Sequence, residues 1–298
     1  MNLTAEQWRG HLAMLLFSAL VAGSFSLGAI MAGEIAPVAL MAARFLIAGA
    51  VIGALVHLGP GFRRRDFAAP WRYLVMGGLF ALYFVLMFEG LKTADAISAS
   101  AVFTLIPFMS AGFGWLLLRQ VTTPRMALAL TIAAIGALWV IFRADLSALL
   151  AFDLGRGEAI YFIGCVAHAI YTPMVARLNR GESPVVFTFG MMVAGFAVLV
   201  LFGAGEIAAT DWTALPGIVW ITLIYISIFA SAVTFVLLQY ATLRLPSAKV
   251  MAYSYLTPAW VILWQVALGQ GWPPGMVALG VGATVLALVI LLKDEAGG

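Results

Sequence analysis

Phe84–Pro107 reads FVLMFEGLKTADAISASAVFTLIP, and 151 residues further on Phe235–Pro258 reads FVLLQYATLRLPSAKVMAYSYLTP. Six of the 24 aligned positions are identical, Leu105/Leu256 and Pro107/Pro258 among them. Shared apolar composition would supply only about a half to a third of that by chance, so the match reads as an internal duplication. Each stretch lies among apolar runs long enough to cross a bilayer. Internally duplicated membrane chains are mostly transporters, with the site where the copies meet.

The composition around this repeat is that of a chain held in lipid. Of 298 residues, 64% are hydrophobic and 10% charged, and mean hydropathy is +1.06. A soluble domain carries about 25% charged residues. Net charge is +3 and the pI about 9.2, but the cations sit in short loops between apolar runs, where they carry topology rather than affinity for nucleic acid. A nucleic-acid partner is therefore excluded. The single cysteine, Cys165, lies in an apolar run and supports no disulfide framework. Residues 1–10 form a short polar lead, and the first of many spans can insert by itself, so a cleavable signal is not needed.

At 1.5 Å per residue, about 20 apolar residues cross the hydrocarbon. Ten runs meet or approach this: His11–Met31, Pro37–His57, Tyr73–Leu91, Ala96–Leu118, Met126–Phe142, Ala159–Ala176, Pro184–Phe202, Ala214–Leu238, Val250–Leu268 and Pro274–Leu292. In a ten-span weave, 12 of the 16 Lys and Arg residues fall on one side, including Arg63–Arg65, Arg244, Lys249 and Lys293. Only Lys92, Arg143 and Arg156 fall on the other, and Arg44 lies within a span. The positive-inside rule then places both termini in the cytoplasm. Five spans per half is an odd number, so the second half enters with the opposite orientation and the repeat is inverted. The expected fold is an all-α polytopic membrane protein of ten transmembrane helices, N-in and C-in. Residues 1–142 form the first five-helix repeat, 143–156 a periplasmic linker and 157–298 the second repeat. Gly33-Glu34 before Pro37 matches Gly181-Glu182 before Pro184, and Pro124 and Pro274 each open the last span of their half.

Five plus five spans with cytoplasmic termini resemble the drug/metabolite transporter superfamily, specifically its EamA-type members. Ala22-Gly23-Ser24-Phe25 is similar to a first-span motif of that family, Arg44 falls where the second span commonly carries an Arg, and Thr93-Ala94-Asp95-Ala96 through Pro107 resembles its passage from third to fourth helix. The family's Gly-Glu pairs after the fourth and ninth spans are absent: Leu118-Arg119-Gln120 and Gly269-Gln270 stand there, so no role of those acids carries over. The resemblance implies export of small metabolites through a cavity between the halves. In size and aromatic richness the chain is similar to YddG-like exporters of aromatic and other amino acids.

Mid-span polar and aromatic residues are the candidate substrate contacts. They are Tyr83 in span three; Ser100 and Thr104 in span four; His168 and Tyr171 in span six; Tyr225 in span eight; and Thr257, Trp260 and Trp264 on one stripe of span nine. Six of the nine Trp fall near span ends, where the interfacial belt accounts for them, whereas Trp260 falls mid-span. It reads either as packing or as a cavity wall that stacks on substrate. His168 reads either as a neutral helix contact or as a functional group. Arg44, costing about 2.5–3.5 kcal/mol at mid-span, is expected to reach the outer interface or pair with Glu34 rather than bind a substrate carboxylate. Pro107 and Pro258 sit inside matching spans and are the candidate gating kinks. Gly49, Gly53, Gly77, Gly78, Gly112 and Gly114 are expected at close helix contacts.

No Asp or Glu lies near the centre of a span; Glu89, Asp95 and Glu158 sit at outer ends. Proton coupling therefore rests on His168 or is absent. No Walker-type loop is present, and His11, His57 and His168 are scattered, so no catalytic residue, cofactor or metal is expected. The leading expectation is a secondary transporter or facilitator in the inner (plasma) membrane that exports small metabolites, amino acids of aromatic or amphipathic character, by alternating access. Its partners are a small-molecule substrate and the lipid bilayer, and a monomer suffices. The alternatives are a nucleotide-sugar or phosphate-ester carrier, and a non-transporting intramembrane enzyme or receptor.

Overall fold

The computed structural model describes residues 5–242, 250 and 252–292; Arg244, Lys249 and Lys293 of the loop-charge pattern, and part of the second copy of the repeat, lie outside them. The first half contributes α1 (Ala5–Ile30), α2 (Pro37–Leu58), α3 (Trp71–Gly90), α4 (Ala96–Phe103), α5 (Ile106–Leu118) and α6 (Pro124–Ile141). A short helix, α7 (Leu146–Ala151), follows in the segment expected as a plain linker. Beyond it come α8 (Arg156–Leu178), α9 (Pro184–Ala209), α10 (Gly217–Ser227), a π-helical turn at Ile228–Val233, α11 (Thr234–Thr242), α12 (Thr257–Ala267) and α13 (Gly275–Leu292).

Among the described residues, nine helical stretches are long and apolar enough to cross a membrane, with α4–α5 and α10–α11 each counted as one. The expected ninth span, Val250–Leu268, instead contains a 3₁₀ turn at Tyr253–Leu256 and the 11 residues of α12. Large apolar side chains cover the outside: Leu201 is 74% and Phe202 83% exposed. Water would not tolerate so extensive an apolar surface, but lipid does. The chain is a multi-pass membrane protein.

Local chemistry sets the helix starts. Asp95 accepts from the Ser98 amide at 2.9 Å, and Thr123 accepts from Met126 at 3.1 Å with Pro124 next in sequence. Ser183 likewise precedes Pro184, and Asp145 accepts the Ser147 amide at 2.8 Å to start α7. Cap and first-turn proline satisfy or remove amides that have no partner in the helix. Pro107 and Pro258 act in the same way. Each is the second residue of its helix, α5 and α12, so these spans are interrupted rather than gently bent. Pro173, by contrast, lies within a continuous α8.

Tight packing uses absent side chains. A Cβ on Gly77 of α3 would stand 2.5 Å from both the Gly195 nitrogen and the Met191 oxygen of α9. One on Gly90 would stand 2.6 Å from the Gly157 oxygen of α8, and one on Gly136 of α6 the same distance from the Gly280 oxygen of α13. Lipid gives no hydrophobic drive between helices, so close backbone contact is what remains. Gly78 and Gly112, expected at such contacts, face open space, because each lies on a side of its helix that meets no neighbour. Thus α3 lies between α8 and α9, α2 packs along α9, and α1 packs against α11 and α12.

One end of α3 is tied by charge. Arg72 Nη2 and Glu182 Oε1 are 2.6 Å apart, with 1% and 4% of the side chains exposed. The rest of the guanidinium donates to the carbonyls of Leu178, Ala68 and Ala69, and Glu182 Oε2 accepts from the Arg180 amide at 2.6 Å. A buried pair of this kind is sustained only when its remaining valences are also met.

Candidate functional site

Six of the nine candidate substrate contacts fall into two groups. The first surrounds His168. Its ring is stacked 4.5 Å from Tyr83, 5.6 Å from Tyr171 and 6.3 Å from Phe103, with Phe80 at 5.8 Å. Phe80 in turn stacks on Tyr171 at 5.0 Å and meets Phe235 edge-on at 6.4 Å. Tyr83 and Phe80 come from α3, Phe103 from α4, His168 and Tyr171 from α8 and Phe235 from α11, so residues on both sides of the 143–156 segment build one aromatic wall. The i, i+3 spacing of His168 and Tyr171, and of Phe80 and Tyr83, turns each pair to one face.

Hydrogen bonding separates the members. Tyr83 and Tyr161 hydroxyls lie 2.9 Å apart and are both buried. His168 and Tyr171 are half-buried, and among the described residues neither side chain has a hydrogen-bond partner; the Nδ1 of His168 is enclosed without one. These two are the polar groups the wall leaves available.

The second group braces α1. Trp260 Nε1 donates to Ser18 Oγ at 3.0 Å, Trp264 Nε1 to the Ala19 carbonyl at 3.2 Å, and the Tyr225 hydroxyl to the Leu20 carbonyl at 2.8 Å. Tyr225 and Trp264 also meet edge-on at 5.7 Å. Three consecutive residues of α1 thus receive donors from α10 and α12. Among the described residues no ring contact or hydrogen bond joins this group directly to the His168 wall, although both pack against one apolar core. Ser100 and Thr104 are fully buried and turn their hydroxyls back to the carbonyls of Ile97 and Ala101 at 2.7 Å. Thr257 Oγ1 is buried without a partner.

Arg44 departs from expectation. It is 1% exposed, while Glu34 is exposed and not paired with it. Nε and Nη2 donate to Ser231 Oγ at 3.1 and 2.9 Å, and Nη2 also to the Ala230 carbonyl at 3.3 Å. The π-turn explains this: widening the helix releases carbonyls from the regular ladder, and Ala230 offers its oxygen to Arg44. The guanidinium carbon stands 3.7 Å from the Phe84 ring centroid, and Phe84 lies 4.7 Å from Phe80 and from Tyr83. Glu158, at the expected end of its span, is 2% exposed and accepts from Ser98 Oγ at 2.8 Å.

Phe80, Phe84, Phe103 and Phe235 are absent from the sequence candidates. Phe84 and Phe235 open the two aligned copies of the repeat and Phe80 stands i, i+3 from Tyr83, but neither relation by itself marks a site residue among the 20 Phe of the chain.

Comparison with known proteins gives concordant results. The model of a family described as the EamA-like transporter family matches residues 8–142 and 155–293. The uncharacterized transporter YyaM of Bacillus subtilis is 23% identical over 284 residues, covering 94% of this chain and 92% of its own. An uncharacterized transporter of Archaeoglobus fulgidus is 25% identical over 267 residues, covering 83% and 85%. A protein of known crystal structure, 22% identical, superposes with a TM-score of 0.66 over 98% of this chain and 100% of its own, which shows a shared fold.

Proposed function

We propose that this chain, which belongs to the EamA-like transporter family, is a secondary transporter that exports small aromatic or amphipathic metabolites, amino acids foremost, across the inner (plasma) membrane. Ten spans in two inverted repeats, with both termini cytoplasmic, give it alternating access, and the His168 wall is where substrate rests. The observation that carries this reading is the wall itself. Rings from α3, α4, α8 and α11 converge on two half-buried polar side chains, the arrangement that stacks a planar apolar group while bonding a polar one. Wall members come from helices of both repeats, as a midplane site between moving halves requires.

In proteoliposomes holding the pure protein, labelled phenylalanine or tryptophan loaded inside is expected to leave faster than from empty vesicles. Tyr171→Ala, which removes a ring and a hydroxyl, is expected to lower that flux by about tenfold, equivalent to about 1.4 kcal/mol. No flux of any aromatic or amphipathic amino acid would sink the reading. Unchanged flux in Tyr171→Ala together with Tyr83→Ala would remove the wall from it.

Coupling follows from the acids. Among the described residues no carboxylate approaches His168, so the site lacks an acid partner for proton exchange. Export is expected to continue after the pH gradient is collapsed with an ionophore, and strict dependence on that gradient would contradict this.

A further inference from the structure

We propose that Arg44 is the anion-reading group of the transport site and takes the carboxylate of the substrate. This rests on the transport reading above and adds the chemical class that the substrate must contain.

Arg44 is a cation enclosed within the helix bundle, and no Asp or Glu pairs with it among the described residues. Arginines in lipid reach the interface, meet an acid or pair with backbone carbonyls; this one takes only the last, through Ala230, and has no counter-charge among the described residues. Its bonds go to neutral acceptors, a hydroxyl and a carbonyl of the π-turn, which orient a guanidinium without cancelling its charge. One arm of the fork is left over: Nη1 meets only Met41 Sδ at 4.0 Å, a weak acceptor at long range. A planar fork with one side fixed and the other lacking an oxygen partner suits a carboxylate.

Position supports the same reading. The Phe84 ring lies over the guanidinium and touches the two α3 rings, Phe80 and Tyr83, that frame His168. Charge reader and stacking wall are therefore one ring apart, a separation that a small aromatic acid spans. Ser231 and Ala230 hold the guanidinium from the π-turn, the one irregular turn of its span, so admitting an anion requires movement of a backbone segment that is already outside the regular ladder.

The test compares ligands that differ only in charge. In phenylalanine export assays, 3-phenylpropionate is expected to inhibit at least about tenfold better than 3-phenylpropionamide. Arg44→Gln is expected to bring the two inhibitors within about twofold, and Arg44→Lys, which keeps the charge but not the fork, to retain part of the preference. Equal inhibition by acid and amide in the wild-type protein overturns the proposal, as does an acid preference that survives in Arg44→Gln. The same pair is compared by thermal stabilisation of detergent-purified wild-type protein, which needs neither flux nor a folded variant. Selective stabilisation by the acid supports the proposal even if phenylalanine is not exported, in which case the transport reading alone fails; no selectivity overturns it.

Discussion

Glu182→Gln is expected to destabilise the protein by about 3–5 kcal/mol, the cost of leaving a buried cation without its counter-charge. Arg72 is enclosed beside Glu182, and its other donors end on the carbonyls of Ala68, Ala69 and Leu178. Those neutral acceptors remain in the variant while the charge they surround loses its balance. Arg72→Gln should do comparable harm, because Glu182 would keep only backbone amides, those of Arg180 and of Glu182 itself, and no counter-charge. The double variant should recover part of the loss, since neither charge is then stranded; strictly additive losses would show that the pair is not coupled. Thermal unfolding in detergent reads all three.

Acid should imitate the first variant. Burial by itself would raise the Glu182 carboxyl, but the hydrogen bond from Arg72 and the Arg180 amide outweigh it and hold the group below its ordinary value of 4.5. A depressed carboxyl contributes stability that is complete above that ordinary value and disappears as pH falls through the lower folded one. The wild-type protein should therefore lose stability as the medium is acidified through and below the ordinary glutamate range. Glu182→Gln should lose less over the same window.

Gly77→Ala should be damaging and Gly78→Ala harmless, although the two glycines are adjacent. At 77 the new methyl would lie 2.5 Å from backbone atoms of α9, which cannot swing aside as a side chain can. Helices α3 and α9 must separate, at about 1–3 kcal/mol for an overpacked contact and more where backbone is the obstacle. At 78 nothing stands within 4 Å, and alanine favours the helix by about 0.8–1.0 kcal/mol. Since α3 carries Phe80, Tyr83 and Phe84, the first variant should also impair transport. Equal unfolding temperatures for the two variants would show that α3 and α9 do not meet as described.

These residues also show how far the amino-acid sequence can be read. Lipid demands long apolar helices, so the runs containing α1, α2, α3, α8, α9 and α13 stand out from hydropathy and length alone. Prolines are conspicuous local marks, and Pro107 and Pro258 do interrupt their spans, whereas Pro173 leaves α8 continuous. Long-range partners leave no such mark. Arg72 and Glu182 are 110 positions apart, and the acceptors of Arg44 lie 186 and 187 positions away. Trp260 invites a role in the cavity because its mid-span place is local information, whereas the Ser18 hydroxyl that receives its N–H is tertiary information. Of the candidate wall, Tyr83, His168 and Tyr171 are legible because polar atoms in lipid are conspicuous. Phe80 and Phe103 are not, since an apolar ring in an apolar span carries no signature.

The π-turn at Ile228–Val233 fixes an angle as well as an acceptor. A turn closed five residues apart instead of four takes in about one extra residue, and one residue of α-helix corresponds to about 100° of rotation. The continuation of the helix in α11 is thus turned by roughly a quarter circle relative to an uninterrupted helix that starts at Gly217. Phe235, just past the turn, meets the wall with that offset, while Ser231 meets Arg44 from within the turn itself. The orientation of this half of the site is written in the length of a backbone turn, where no exchange of one side chain for another would reveal it.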